Sequence, residues 1–71
     1  MKRVFRAEKM IARITEEGRA DMLTPEIMEK IRSLDGKVGD SWNWAYVVND
    51  EDLVWIESEQ TYVNFADTEL V

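Results

Sequence analysis

Seventy-one residues, 45% hydrophobic and 34% charged with one proline and three glycines, describe one folded domain over 1–71 with a small core. The chain has no cysteine and no histidine, so disulfides, thiolate nucleophiles and cysteine–zinc clusters are excluded, and the usual general base near neutral pH is missing. The net charge of −6 is unevenly spread: residues 1–37 carry all nine Lys and Arg against seven acids (+2), and residues 38–71 carry eight acids and no base (−8). An acidic half of this kind repels phosphate backbones and favours basic partners. No apolar run approaches the ~18 residues of a membrane span. At the start of the chain, Arg6, Glu8 and Lys9 break any signal-peptide core. The expectation is a cytoplasmic protein with no membrane segment.

Val4 and Phe5 fit either a short strand or an extension of the following helix, since "KRVF" is too brief to decide. Ala7, Met10, Ile11 and Ile14 recur at i, i+3, i+4 and i+7, which predicts a helix over 7–17 that Gly18 ends. Thr24 is placed as an N-cap, Pro25 suits the first helical position and Glu26 complements the positive helix start, so a second helix is predicted over 25–35. Ile27, Ile31 and Leu34 line its apolar face, with Met28 beside them, and "LDGK" stops it at Gly36. The basic side chains Arg6, Lys9 and Arg13 form the one positive feature. They serve either as a contact for phosphate or acid, or as a solvated face attracted to the acidic half of the same molecule.

From Val38 onward the hydrophobic period shortens to two. Strands are predicted at 42–49, 53–58 and 61–65, with 69–71 as a possible fourth. The fold class is α+β: two helices on one face of a small antiparallel sheet of three or four strands. If "NDED" (49–52) is a tight hairpin loop, Val47 faces Val54, Tyr46 faces Trp55 and Ala45 faces Ile56. One side of the hairpin is then aliphatic (Ala45, Val47, Val54, Ile56) and forms core, joined by Val63 and Phe65. The other side carries Trp44, Tyr46, Leu53 and Trp55 and remains partly exposed. A three-residue loop would mix the two sets.

An exposed aromatic side points to a contact surface, although cross-strand Trp and Tyr pairs also stabilise small sheets without any partner. Trp44, Tyr46 and Trp55 are the expected anchors, with Asp50, Glu51, Asp52, Glu57 and Glu59 steering a basic protein partner. No Lys or Arg alternates with these rings, so stacking on single-stranded bases is disfavoured. "NDED" lacks the ligand spacing and central glycine of a calcium loop, so no metal or other cofactor is expected. Ser41, Thr61 and Thr68 have no activating base, and an enzyme is not expected. The functional expectation is a non-enzymatic interaction module. The alternatives are a nucleic-acid-mimicking inhibitor of a DNA- or RNA-binding protein, and a structural subunit that forms homodimers.

The segment "RVFRAEKMI", followed by "PEI" and "DGK", resembles short proteins encoded by phages and prophages of Firmicutes. The likeness covers the first half of the chain. It implies a small accessory protein that acts by contact inside a bacterial cell, and it assigns no functional residue.

Overall fold

The computed structural model describes residues 2–41 and 53–71. The chain opens with a short strand, β1 (Lys2–Phe5), and passes directly into helix α1 (Ala7–Glu16). Arg6, at the N-cap position, makes no side-chain cap. The cap comes instead from across the chain, where Asp35 Oδ1 accepts the Ala7 N–H at 2.9 Å. At the far end Gly18 takes a left-handed φ of 75°, and the Arg19 N–H closes back on the Ile14 carbonyl at 3.0 Å. That is the six-to-one bond that favours glycine at this position.

A single 3₁₀ turn at Ala20–Met22 leads to helix α2 (Pro25–Ser33), where Thr24 Oγ1 accepts the Ile27 N–H at 3.3 Å. The N-cap and the proline at the first helical position are as the sequence predicts. The helix ends at Ser33, and the chain turns through Gly36, whose φ is 81°. The Gly36 N–H donates to the Phe5 carbonyl and the Phe5 N–H to the Lys37 carbonyl, both at 2.9 Å, so the turn feeds straight into the sheet.

The sheet has five strands rather than three or four. Strands β2 (Val38–Ser41), β3 (Leu53–Ile56), β4 (Thr61–Asn64) and β5 (Thr68–Leu70) join β1 in the order β4-β3-β2-β1-β5, every neighbour antiparallel. The expected strand over 42–49 falls outside the described residues. Strand β2 lies before it, in "VGDS", where strand propensity is poor. Its place is set by pairing: Lys2 lies opposite Asp40 and Val4 opposite Val38 on one side, and Trp55 lies opposite Asp40 on the other.

The first strand of the expected hairpin, with Ala45, Tyr46 and Val47, lies outside the described residues. Among the described residues Trp55 lies opposite Asp40 and Tyr62, and Val54 lies opposite Ser41 and Val63. Both edges of β3 are occupied among the described residues, by β2 and β4. A sequence pattern of period two identifies the faces of a strand but not its partner, and here tertiary pairing selects the partner.

Both helices pack on one face of the sheet. Phe5, Val54, Ile56 and Val63 from the strands meet Ala7, Ile14 and Ile31 in one buried cluster, with Met10, Ile11, Leu23, Leu34 and Phe65 partly buried around it. Val54 and Ile56 are fully buried, as the alternation predicts. Ile27 remains exposed, so the predicted apolar face of α2 is used only through Ile31 and Leu34.

Gly39 explains how so weak a strand former occupies the sheet interior. A Cβ at this position would lie 2.6 Å from the Trp55 carbonyl oxygen and 2.7 Å from Val54 Cγ1. Only glycine lets β2 sit this close to the core side chains of β3. Gly39→Ala is therefore expected to cost about 1–3 kcal/mol of stability. Urea denaturation measures this as a lower midpoint at unchanged slope.

Candidate functional site

The face of the sheet opposite the helices is built by the alternate residues of the same strands. Its central row runs across four strands as Tyr62, Trp55, Asp40 and Lys2. Leu53 and Asn64 form a neighbouring row, and Val4, Val38 and Glu69 lie on the other side. Among the described residues no helix or strand packs over this face. Tyr62 is 58% exposed, and Leu53 and Val38 are also exposed.

At the β4 end of this row, the Trp55 and Tyr62 rings lie with centroids 4.6 Å apart and planes tilted by 55°. The spacing is that of an attractive aromatic pair. The indole Nε1–H donates to Glu57 Oε2 at 2.6 Å, and the other oxygen of Glu57 accepts from Gln60 Nε2 at 3.2 Å. These bonds organise the tight turn of Glu57–Gln60, in which Gln60 takes a left-handed φ of 51° and its amide also donates to the Glu57 carbonyl at 2.9 Å. The Trp55 ring is thus oriented by a carboxylate at one end and a tyrosine along its side.

The row ends in an ion pair, with Lys2 Nζ 2.9 Å from Asp40 Oδ1. The hydrogen bond from Lys2 holds the Asp40 carboxyl below the usual aspartate range. This pair belongs to a larger pattern in which bases of the first 37 residues meet acids of the remainder. Arg6 and Lys9 reach Glu69 at 3.2 and 3.9 Å, Lys37 reaches Glu59 at 3.5 Å, and Arg13 reaches Asp67 at 2.8 Å. Part of the charge of the two unequal halves is therefore paired within one molecule. The exposed pairs contribute little stability individually, but they remove Glu59 and Glu69 from the supply of uncommitted negative charge.

Of the anchors expected from sequence, Trp55 lies on the open face, while Trp44 and Tyr46 lie outside the described residues. Of the acids, Glu57 touches the Trp55 ring nitrogen, and Glu59 is engaged by Lys37. Asp50, Glu51 and Asp52 lie outside the described residues. Tyr62 is the functional candidate that sequence reasoning missed. The alternation that places Val63 in the core places Tyr62 on the opposite face, so the signal was present in "TYVNF".

Among the described residues, two concavities flank the sheet. A cleft of about 540 Å³ at the start of α1 is lined by Arg6, Lys9 and Arg32 together with Glu8, Asp35 and Glu69, charges that balance. A groove of about 290 Å³ lies beside β4 and includes Met10, Ile31, Leu34 and Lys30. Among the described residues, no three His, Cys, Asp or Glu side chains gather into a metal-binding group. No helix among them is long and apolar enough to cross a membrane.

The Asp40–Lys2 contact makes a direct test of this geometry. The Asp40 carboxyl should titrate below an ordinary aspartate by NMR, and Lys2→Gln should return it toward the ordinary value. Because the folded pKa is lowered, the contact's small stabilising effect is complete above the ordinary aspartate pKa. It disappears as the pH falls through the folded value.

Compared with models of known protein families, with curated protein sequences and with solved structures, the chain gives no match. The open face is accordingly interpreted from its own chemistry.

Proposed function

We propose that this chain is a non-enzymatic interaction module that binds another protein through the open face of its sheet. The observation that carries the proposal is the tilted Trp55–Tyr62 pair, held in place at the β3–β4 end of a face that no described element covers. Rigid aromatic side chains surrounded by aliphatic area supply binding energy at little cost in side-chain entropy. Leu53 and Val38 provide that surrounding area. Trp44 and Tyr46 extend the proposal as further anchors, and Asp50, Glu51 and Asp52 as further steering charges, but the Trp55–Tyr62 pair does not depend on them.

The partner that fits best presents arginine or lysine beside an apolar patch. The aromatic faces attract cations, and Glu57 offers a carboxylate at the edge of the indole. In the setting implied by the N-terminal resemblance, such a module acts as a phage or prophage accessory protein on a component of a bacterial cell. Mimicry of nucleic acid is a weaker reading, because Asp40, Glu59, Asp67 and Glu69 are matched by lysine and arginine of the same chain. A phosphate-like row would leave such carboxylates unpaired.

The test compares capture by the native chain with capture by a Trp55→Ser, Tyr62→Ser double variant whose folding is confirmed by circular dichroism. A basic partner retained by the native chain, lost by the variant and weakened by salt is the expected result. Equal capture by both chains would refute the role of this face.

A further inference from the structure

The two edges of the sheet are chemically unlike. At the β5 edge Glu69 is flanked by Arg6 and Lys9, and the Thr68 carbonyl accepts from Arg3 Nη2 at 3.0 Å and from Lys9 Nζ at 3.5 Å. Charged side chains and occupied acceptors of this kind keep another strand from adding. Among the described residues the β4 edge has no such guard. Thr61, Tyr62, Val63 and Asn64 carry no charge and no proline. Outside the β3 ladder, the Tyr62 carbonyl accepts only a long hydrogen bond among the described residues, from Thr61 Oγ1 at 3.5 Å.

The two ends of β4 also differ in charge. At its Thr61 end lies the acidic turn Glu57–Glu59, in which Lys37 engages Glu59 and Glu57 meets no base among the described residues. At its Asn64 end lies the groove that Lys30 lines together with Met10, Ile31, Leu34 and Asn64. We propose that the occupant of this edge is a second copy of the same chain, pairing antiparallel across a two-fold axis to make one continuous ten-stranded sheet. The antiparallel arrangement sets the acidic turn of each copy against Lys30 of the other, twice over. A parallel arrangement would set like charge against like. Residues opposed across strands share a face, so the pleat places either Val63 opposite Val63 or Tyr62 opposite Tyr62 of the second copy. This dimer goes beyond the proposed partner-binding role and does not depend on it, because it uses an edge rather than the open face.

An edge of four residues is only about 13 Å long, so the interface is small and assembly is visible only at high protein concentration. Sedimentation equilibrium between about 10 µM and 1 mM at low salt should show the mass rising from 8.3 kDa toward twice that value. Tyr62→Lys, a substitution at an exposed position that places a guard on the edge, should hold the chain at monomer mass. Leu70→Lys on β5 and Trp55→Ala on the open face should leave the dimer in place, with folding of every variant checked by circular dichroism. Lys30→Glu should weaken assembly roughly tenfold, since each symmetric contact turns from attraction to repulsion. A monomer at every concentration, or a dimer that survives Tyr62→Lys, would overturn the proposal. Loss of the dimer in Leu70→Lys or Trp55→Ala would equally overturn it, by moving the contact to another surface.

Discussion

The Arg13 guanidinium and the Asp67 carboxylate meet in a two-pronged pair, Nε to Oδ1 and Nη2 to Oδ2, both at 2.8 Å. Asp67 is 1% exposed and Arg13 27%, so the carboxylate has left water and the guanidinium only partly so. A buried carboxylate is costly unless its oxygens are answered, and among the described residues Arg13 is the side chain that answers both. The Asp67 carboxylate also raises the pKa of Arg13 above its already high ordinary value. The guanidinium therefore stays charged throughout the physiological pH range.

This pair connects the middle of α1 to the turn Phe65–Asp67, and much of the fold follows from that link. The Asp67 carbonyl accepts the Arg6 N–H at 2.9 Å, which places the start of α1 beside the same turn. From there the chain runs into β5 and pairs with β1, so that the last strand closes against the first. Arg3 consolidates the closure: its guanidinium lies 3.8 Å from the Phe65 ring centroid, and its Nε donates to Thr68 Oγ1 at 2.7 Å. Thr68, itself buried, donates its hydroxyl hydrogen bond to the Phe65 carbonyl at 2.7 Å. Closing the C-terminus in this way commits the helices to one face of the sheet. Trp55 and Tyr62 are left on the other face by the pleat alone.

Much of this was legible in the sequence, for local physical reasons. Gly18 and Thr24–Pro25 mark helix ends because left-handed backbone and N-capping each demand particular residues. Val54 and Ile56 are readable as core because alternation needs no knowledge of the partner strand. Strand β2 was not readable, because "VGDS" earns its place through the close approach at Gly39, and that depends on a neighbour distant in sequence. Trp55 could be assigned to a face, but its neighbours Asp40 and Tyr62 could not, since strand order is a global property. The Arg13–Asp67 pair joins residues far apart in the chain. The sequence shows it only as a basic helix and an acidic half that have reason to attract.

The central claim is that the Arg13–Asp67 pair holds the C-terminal turn against α1. A domain of this size has a total stability of roughly 4–10 kcal/mol, so one interaction of this kind is a large share of it. The most direct measurement is a double-mutant cycle by chemical denaturation with Arg13→Ala, Asp67→Ala and the two combined. Each single variant is predicted to lose about 3 kcal/mol, toward the lower end for a buried pair because Arg13 is partly exposed, and the double variant little more than either single. Single losses below about 0.5 kcal/mol, or losses that simply add, would show that the two residues act independently and would contradict the account.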